Sequence, residues 1–169
     1  MKTIILVGGT MGVGKSTVCR LLKEKLPNSV YLDGDWCWDA SPFVVTEETK
    51  EMVMQNICFL LNQFIRCSIY DHILFAWVMH EQSIIDDLLR RLKTEGCRVL
   101  SLSLMCDEKT LKARLAEDVR RGLRDGDILT RSAARLPLFE KLNTLKIDTV
   151  GKKPDQIADE IAATAGIAR

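Results

Sequence analysis

The sequence predicts an α/β fold: a mainly parallel sheet with helices on both faces. Three observations predict it. Short apolar runs alternate with longer segments of helical period along the whole chain. Several helical segments open on a capping residue. A glycine-rich turn, "GGTMGVGKST", joins the first strand to the first helix. Strands joined through helices must cross over, and crossovers of that length favour parallel pairing.

The first strand is "TIILVG", residues 3–8, apolar throughout as expected for a strand buried on both faces. Met1 and Lys2 before it resemble the start of a secretory signal. The apolar run is too short for one, and it leads into the glycine-rich turn, not a cleavage site. Helix follows over 15–26, "KSTVCRLLKEKL", then strand over 29–32, which runs into "DGDWCWDASPF". Thr46 caps a long helix over 47–67. A strand at 72–76 precedes a helix at 80–94, which Gly96 ends. The strand at 98–104 leads to Asp107, the cap of a helix over 107–121. A helix is expected at 130–141, a last strand at 145–148, and a helix at 154–165 opened by Pro154. No linker, repeat or low-complexity stretch interrupts this series, so residues 1–169 read as one domain.

Composition narrows the function. Lys and Arg number 24 against 23 Asp and Glu, a net charge of +1. That leaves no polybasic face for nucleic acid or a membrane surface. No apolar run is long enough to span a bilayer. The six cysteines (Cys19, Cys37, Cys58, Cys67, Cys97 and Cys106) form no C-x-x-C pair, and the two histidines lie far from them. A zinc site is not expected, and scattered cysteines in apolar segments suit a reducing cytosol. The expectation is a cytoplasmic protein acting on a small molecule, with no nucleic-acid or membrane partner. The oligomeric state stays open, and a monomer is compatible with the sequence.

Residues 9–17, "GTMGVGKST", fit G-x-x-x-x-G-K-[ST] through Gly9, Gly14, Lys15 and Ser16, in the strand–loop–helix context the motif requires. Glycines let the backbone curl so that its N–H groups point at phosphate oxygens, and the helix N-terminus adds positive charge. Lys15 can bridge the β- and γ-phosphates of a nucleoside triphosphate, and Ser16 can ligate Mg²⁺. The expected nucleotide contacts are Gly9, Thr10, Met11, Gly12, Val13, Gly14, Lys15, Ser16 and Thr17.

Ligands of such folds sit beyond the carboxyl ends of the strands, which puts Asp33, Asp35 and Trp77 on the rim of the phosphate loop. No N-K-x-D stretch reads guanine, and the third strand, "HILFAWVM", carries no acidic residue for a metal shell. Asp107 and Glu108 read as the acidic first turn of a helix. Asp33 is therefore assigned, with Ser16, to the Mg²⁺ environment, and Asp35 to the acceptor. A turn after a strand would by itself also explain D-G-D.

With these residues in view, the chain resembles the small P-loop kinases of metabolites and nucleotides over nearly its full length. "YLDGDW" is similar to the D-x-D segment of shikimate kinases and the D-G-D segment of gluconate kinases, and chloramphenicol phosphotransferases use an Asp in a similar place as general base. The resemblance implies a P-loop NTPase three-layer sandwich with a five-stranded parallel sheet and a small mobile lid. It implies ATP and Mg²⁺, with Asp33 near the metal and Asp35 as the base facing the acceptor. The stretch 107–142 is similar to the lid region of gluconate kinases. The tail "IDTVGKKPDQIADEI" is similar to the common ending of these enzymes, whose loop touches adenine.

The acceptor region is expected at about 33–90 and the lid at about 118–132. Six arginines lie between 114 and 135: Arg114, Arg120, Arg121, Arg124, Arg131 and Arg135. Always ionised, they can neutralise a transferring phosphoryl group, and a closed lid excludes water. The resemblance gives Arg114 to adenine and Arg120, Arg121 or Arg124 to the phosphates, Arg121 and Arg124 as catalytic groups. A solvated helix face with pairs such as Glu117–Arg121 is the plainer alternative. On the acceptor side, Trp36, Trp38, Trp77 and His80 are the expected contacts. Between Asp33 and Leu89 stand ten acidic residues and two basic ones, Lys50 and Arg66. That shortage of arginine predicts a neutral or cationic acceptor with a flat or apolar part. The reading is an ATP-dependent transfer of the γ-phosphate to a hydroxyl of a small molecule. Its alternatives are a nucleoside monophosphate kinase and a nucleotide-binding regulator that transfers nothing.

Overall fold

The structure, a computed structural model, describes residues 1–123 and 127–166. Five strands form one sheet: β1 (Thr3–Gly8), β2 (Ser29–Asp33), β3 (His72–Ala76), β4 (Arg98–Met105) and β5 (Leu145–Asp148). Their order is β2-β3-β1-β4-β5, and every pairing is parallel. Among the described residues five helices lie between the strands, α1 (Lys15–Lys25), α2 (Glu47–Arg66), α3 (Gln82–Arg91), α4 (Glu108–Arg120) and α5 (Ile128–Arg135), and α6 (Pro154–Thr164) follows β5.

The alternation of side chains along a strand divides the interior in two. Ile5 and Val7 of β1 face a core shared with Val18 and Leu22 of α1, Leu111 and Leu115 of α4, and Ile157 and Ile161 of α6. Ile4 and Leu6 face the other core, with Ile57 and Leu61 of α2 and Ile85 and Leu88 of α3. The central strand is thus buried on both sides, as its unbroken apolar run requires. Phe75 and Phe139 are fully buried in the second core; truncating a phenylalanine so placed costs about 3–5 kcal/mol.

Two helices differ from the sequence expectation. The segment 130–141 is not one helix: α5 starts earlier, at Ile128, and a 3-10 turn takes over from Leu136 to Lys141. Pro137 explains the change, since it has no N–H to continue an α-helix and its ring crowds the preceding turn. The helix expected over 80–94 is shorter, Gln82–Arg91, and Gly96 lies beyond it in the turn before β4, with φ +74°. At its start Met79 adopts φ +40°, which turns the chain sharply between β3 and α3.

Register aligns the strand ends. Asp33 pairs with Ala76, Val7 with Ala76, and Gly8 with Ser103. The loops after β1, β2 and β3 therefore open on one rim, beside each other.

Candidate active site

The loop after β1 curls under α4. Gly12 has φ +84°, and a Cβ there would stand 2.4 Å from Leu115, itself fully buried. Only glycine lets the loop lie this close. Lys15 folds back over the loop, its Nζ donating to the carbonyls of Gly9 (2.8 Å) and Thr10 (3.0 Å). Gly14 ends the loop with no side-chain cap on α1. The residues from Met11 to Val18, Thr17 included, line a cavity of about 720 Å³. Arg114 of α4 lines the same cavity and clamps it: its guanidinium donates to the Val13 carbonyl (3.1 Å) and to the hydroxyl and carbonyl of Thr149 (3.0 and 3.1 Å). The phosphate loop is thereby tied to the turn before α6, whose Lys152 and Pro154 complete the wall.

The carboxylate side of this cavity is built on β2. Asp33 is buried at the strand end. Its Oδ2 accepts from the Ser16 hydroxyl (2.7 Å) and the Tyr31 hydroxyl (2.8 Å), and its Oδ1 accepts from the Asp35 backbone N–H (3.1 Å). Burial, with the Asp33 carboxylate nearby, holds the Tyr31 hydroxyl well above its ordinary pKa, so it stays a donor. Ser16 and Asp33 offer oxygen ligands side by side, the donor set Mg²⁺ accepts. Among the described residues no group of three or more His, Cys, Asp or Glu could hold a metal by itself, so phosphate and water oxygens would complete such a shell. Gly34 follows for a packing reason: a Cβ there would stand 2.5 Å from the Trp77 ring. That contact seats Trp77 against the turn and presents Asp35, exposed, at the mouth.

A second cavity, of about 520 Å³, adjoins the first, and Asp35 lines both. Trp38, Phe43 and Trp77 supply its aromatic walls, with Trp38 and Phe43 centred 4.4 Å apart. Val53 and Met54 of α2 and Ile84 of α3 supply aliphatic walls. His80 lines it too; its Nδ1 is buried without a hydrogen-bond partner, and its Nε2 lies 3.3 Å from Glu81. Burial first, then the Arg135 charge, lowers the His80 pKa.

Several expected contacts sit elsewhere. Trp36 does not line the second cavity: it is 58 % exposed, edge-on to Tyr31 at 5.3 Å, along a separate outer groove. Thr10 is fully buried below the loop, not in the nucleotide cavity. Its hydroxyl meets the Ser132 carbonyl and hydroxyl, both at 2.8 Å, and Ser132 in turn donates to the Met11 carbonyl at 2.5 Å. Arg120 and Arg121 are exposed and both bond to Glu117, which lines the first cavity, but neither arginine lines the first or the second cavity. Arg124 lies outside the described residues. Asp107 caps α4 through the Thr110 N–H (2.6 Å), as its sequence context predicts.

The count of arginines by sequence segment misjudged the acceptor side. Arg131 and Arg135, both on α5, line the second cavity beside Lys50. The acceptor half is poor in arginine along the chain and not in space. Their spacing, i and i+4 around the buried Ser132, is the signal that puts both on one face of a helix.

The AAA domain family matches the chain over residues 5–129. A Pyrococcus furiosus protein named "Putative adenylate kinase" is 25% identical over 162 residues, 94% of this chain and 81% of the relative. Among solved structures, a tunicamycin resistance protein of Deinococcus radiodurans aligns at a TM-score of 0.73 and 21% identity, covering 99% of this chain and 98% of that one. A gluconokinase of Sinorhizobium meliloti 1021 aligns at 0.69 and 19% identity, covering 97% and 91%. These likenesses show the fold, a five-stranded parallel sheet with helices on both faces. With its phosphate loop inside the matched span, the chain belongs to the AAA domain family.

Proposed function

We propose that the protein is an ATP-dependent small-molecule kinase that moves the γ-phosphate of Mg-ATP to a hydroxyl. The observation that carries this reading is Asp35, which lines both cavities at once. A carboxylate at that boundary can take the proton of an acceptor hydroxyl while the hydroxyl oxygen meets the terminal phosphate. The new O–P bond forms as the bond from the γ-phosphorus to the ADP oxygen breaks. Lys15, which rests on the Gly9 and Thr10 carbonyls of the loop, would exchange them for phosphate oxygens. Ser16 and Asp33 would hold Mg²⁺, which would supply charge neutralisation for the phosphates. Arg114, Lys152 and the walls of the first cavity hold the nucleotide. Most of the acceleration comes from positioning and fixed charge.

Trp38, Trp77 and His80 shape the acceptor pocket in this reading, and Trp36 does not. Arg131 and Arg135 are the arginines that line it. A cytoplasmic site of action suits the ATP requirement, and among the described residues no helix is long and apolar enough to cross a membrane. A second reading, a nucleoside monophosphate kinase, is favoured by the Pyrococcus furiosus relative and its printed name.

ADP release from Mg-ATP tests the reading across an acceptor panel: nucleoside monophosphates, nucleosides, sugar acids, neutral sugars, aminoglycosides and aromatic alcohols. One class is expected to stimulate turnover. If ATP binds and stays intact with every class, the protein is a nucleotide binder and the kinase reading fails. Stimulation by AMP alone would select the second reading.

A further inference from the structure

From the walls and charges of the second cavity we infer that the acceptor is a planar, largely apolar alcohol bearing a single negative charge, held at Arg135. The inference rests on the kinase reading and narrows its acceptor.

The walls argue for the apolar body. Trp38, Phe43 and Trp77 present rings and Val53, Met54 and Ile84 add aliphatic wall, while the polar lining (Asp35, Lys50, His80, Glu81, Arg131 and Arg135) is charged or ionisable and carries no neutral hydroxyl or amide side chain. A polyol such as a sugar acid would bring several hydroxyls against this surface, and a hydroxyl buried without a partner is costly. A flat ring system instead buries apolar area against the rings. The volume of about 520 Å³ accommodates more than one ring.

The charges argue for one anionic group. Three cations line the cavity, but two already have carboxylates. Lys50 pairs with Glu47 at 2.8 Å, and Arg131 pairs with Asp127 at 3.3 Å. The Arg135 side chain makes no hydrogen bond or ion pair among the described residues. Its charge is felt inside the cavity, where it contributes to the lowered pKa of His80. A single unpaired guanidinium suits one carboxylate, which it can grip through two parallel bonds. A phosphate dianion next to Asp35 and Glu81 would need more positive charge than this. The acceptor hydroxyl belongs at Asp35, where the two cavities meet.

Calorimetric binding to the full chain tests this with four probes. They are hydroxymethylnaphthoate with its alcohol and carboxylate at opposite ends of the rings, uncharged naphthylmethanol, gluconate and AMP. Hydroxymethylnaphthoate is expected to bind tightest, and about tenfold more tightly than naphthylmethanol, the worth of about 1.4 kcal/mol. In Arg135→Gln that preference is expected to vanish while naphthylmethanol binds as before, which also shows that the variant is folded. Tighter binding of gluconate or AMP, no binding of the naphthoate, or a preference that survives Arg135→Gln would overturn the inference. Because the readout is binding, such a failure together with AMP- or gluconate-stimulated ADP release would leave the kinase reading standing.

Discussion

Asp33 shows how one residue acquires a fixed geometry. Three hydrogen bonds reach its two oxygens, from Ser16, Tyr31 and the Asp35 backbone, so its carboxylate has little freedom left to turn. Ser16 and Asp33 were legible from the loop motif and from the spacing of D-G-D. Tyr31 was not singled out, although residues i and i+2 of a strand share a face and the pairing follows from that period. His80 makes a different point at this scale. Its pKa is lowered in the folded chain, chiefly by burial and then by Arg135. The native state therefore binds the proton less readily than the unfolded chain, whose histidine titrates near about 6.5. The contribution of this site is complete above that pH and is lost as pH falls through the lowered native value. Urea midpoints at neutral pH and one to two pH steps below are expected to diverge more for the wild type than for His80→Gln. Equal losses in both proteins would contradict the assignment.

At the scale of elements, α5 is where sequence and structure part most. Its arginines, Arg131 at the end of the expected lid and Arg135 just past it, were read with the lid, yet both line the second cavity. What brings them there is the buried contact of Thr10 with Ser132, which no pattern of hydrophobicity reveals because both residues are polar and 0 % exposed. The same contact predicts a cost. Thr10→Val removes a buried hydroxyl and strips the Ser132 carbonyl of that partner, a loss of about 1–3 kcal/mol. Urea unfolding measures it; a variant within a few tenths of a kcal/mol of the wild type would show that α5 is held by its apolar contacts alone. The break at Pro137 was missed, although proline ends α-helices for a reason written in its ring; the helical period on both sides of it concealed the boundary.

Across the whole molecule, alternation of strand and helix was enough to predict the fold, because apolar runs and helical periods report burial directly. The sheet order puts β1 at the centre, so the loops that follow β1, β2 and β3 meet on one rim. That meeting joins a nucleotide cavity on one side of Asp35 to an aromatic one on the other. The charge of the acceptor side was not legible, because it depends on residues about fifty to a hundred positions further along the chain. The central claim is that Asp35 serves the transfer between these cavities. Its most direct test is ADP release from Mg-ATP with a stimulating acceptor, comparing Asp35→Asn with the wild type while Mg-ATP affinity is measured alongside. The account predicts that turnover falls by about 10²–10⁴-fold with nucleotide affinity little changed. An Asp35→Asn protein that turns over like the wild type would contradict it.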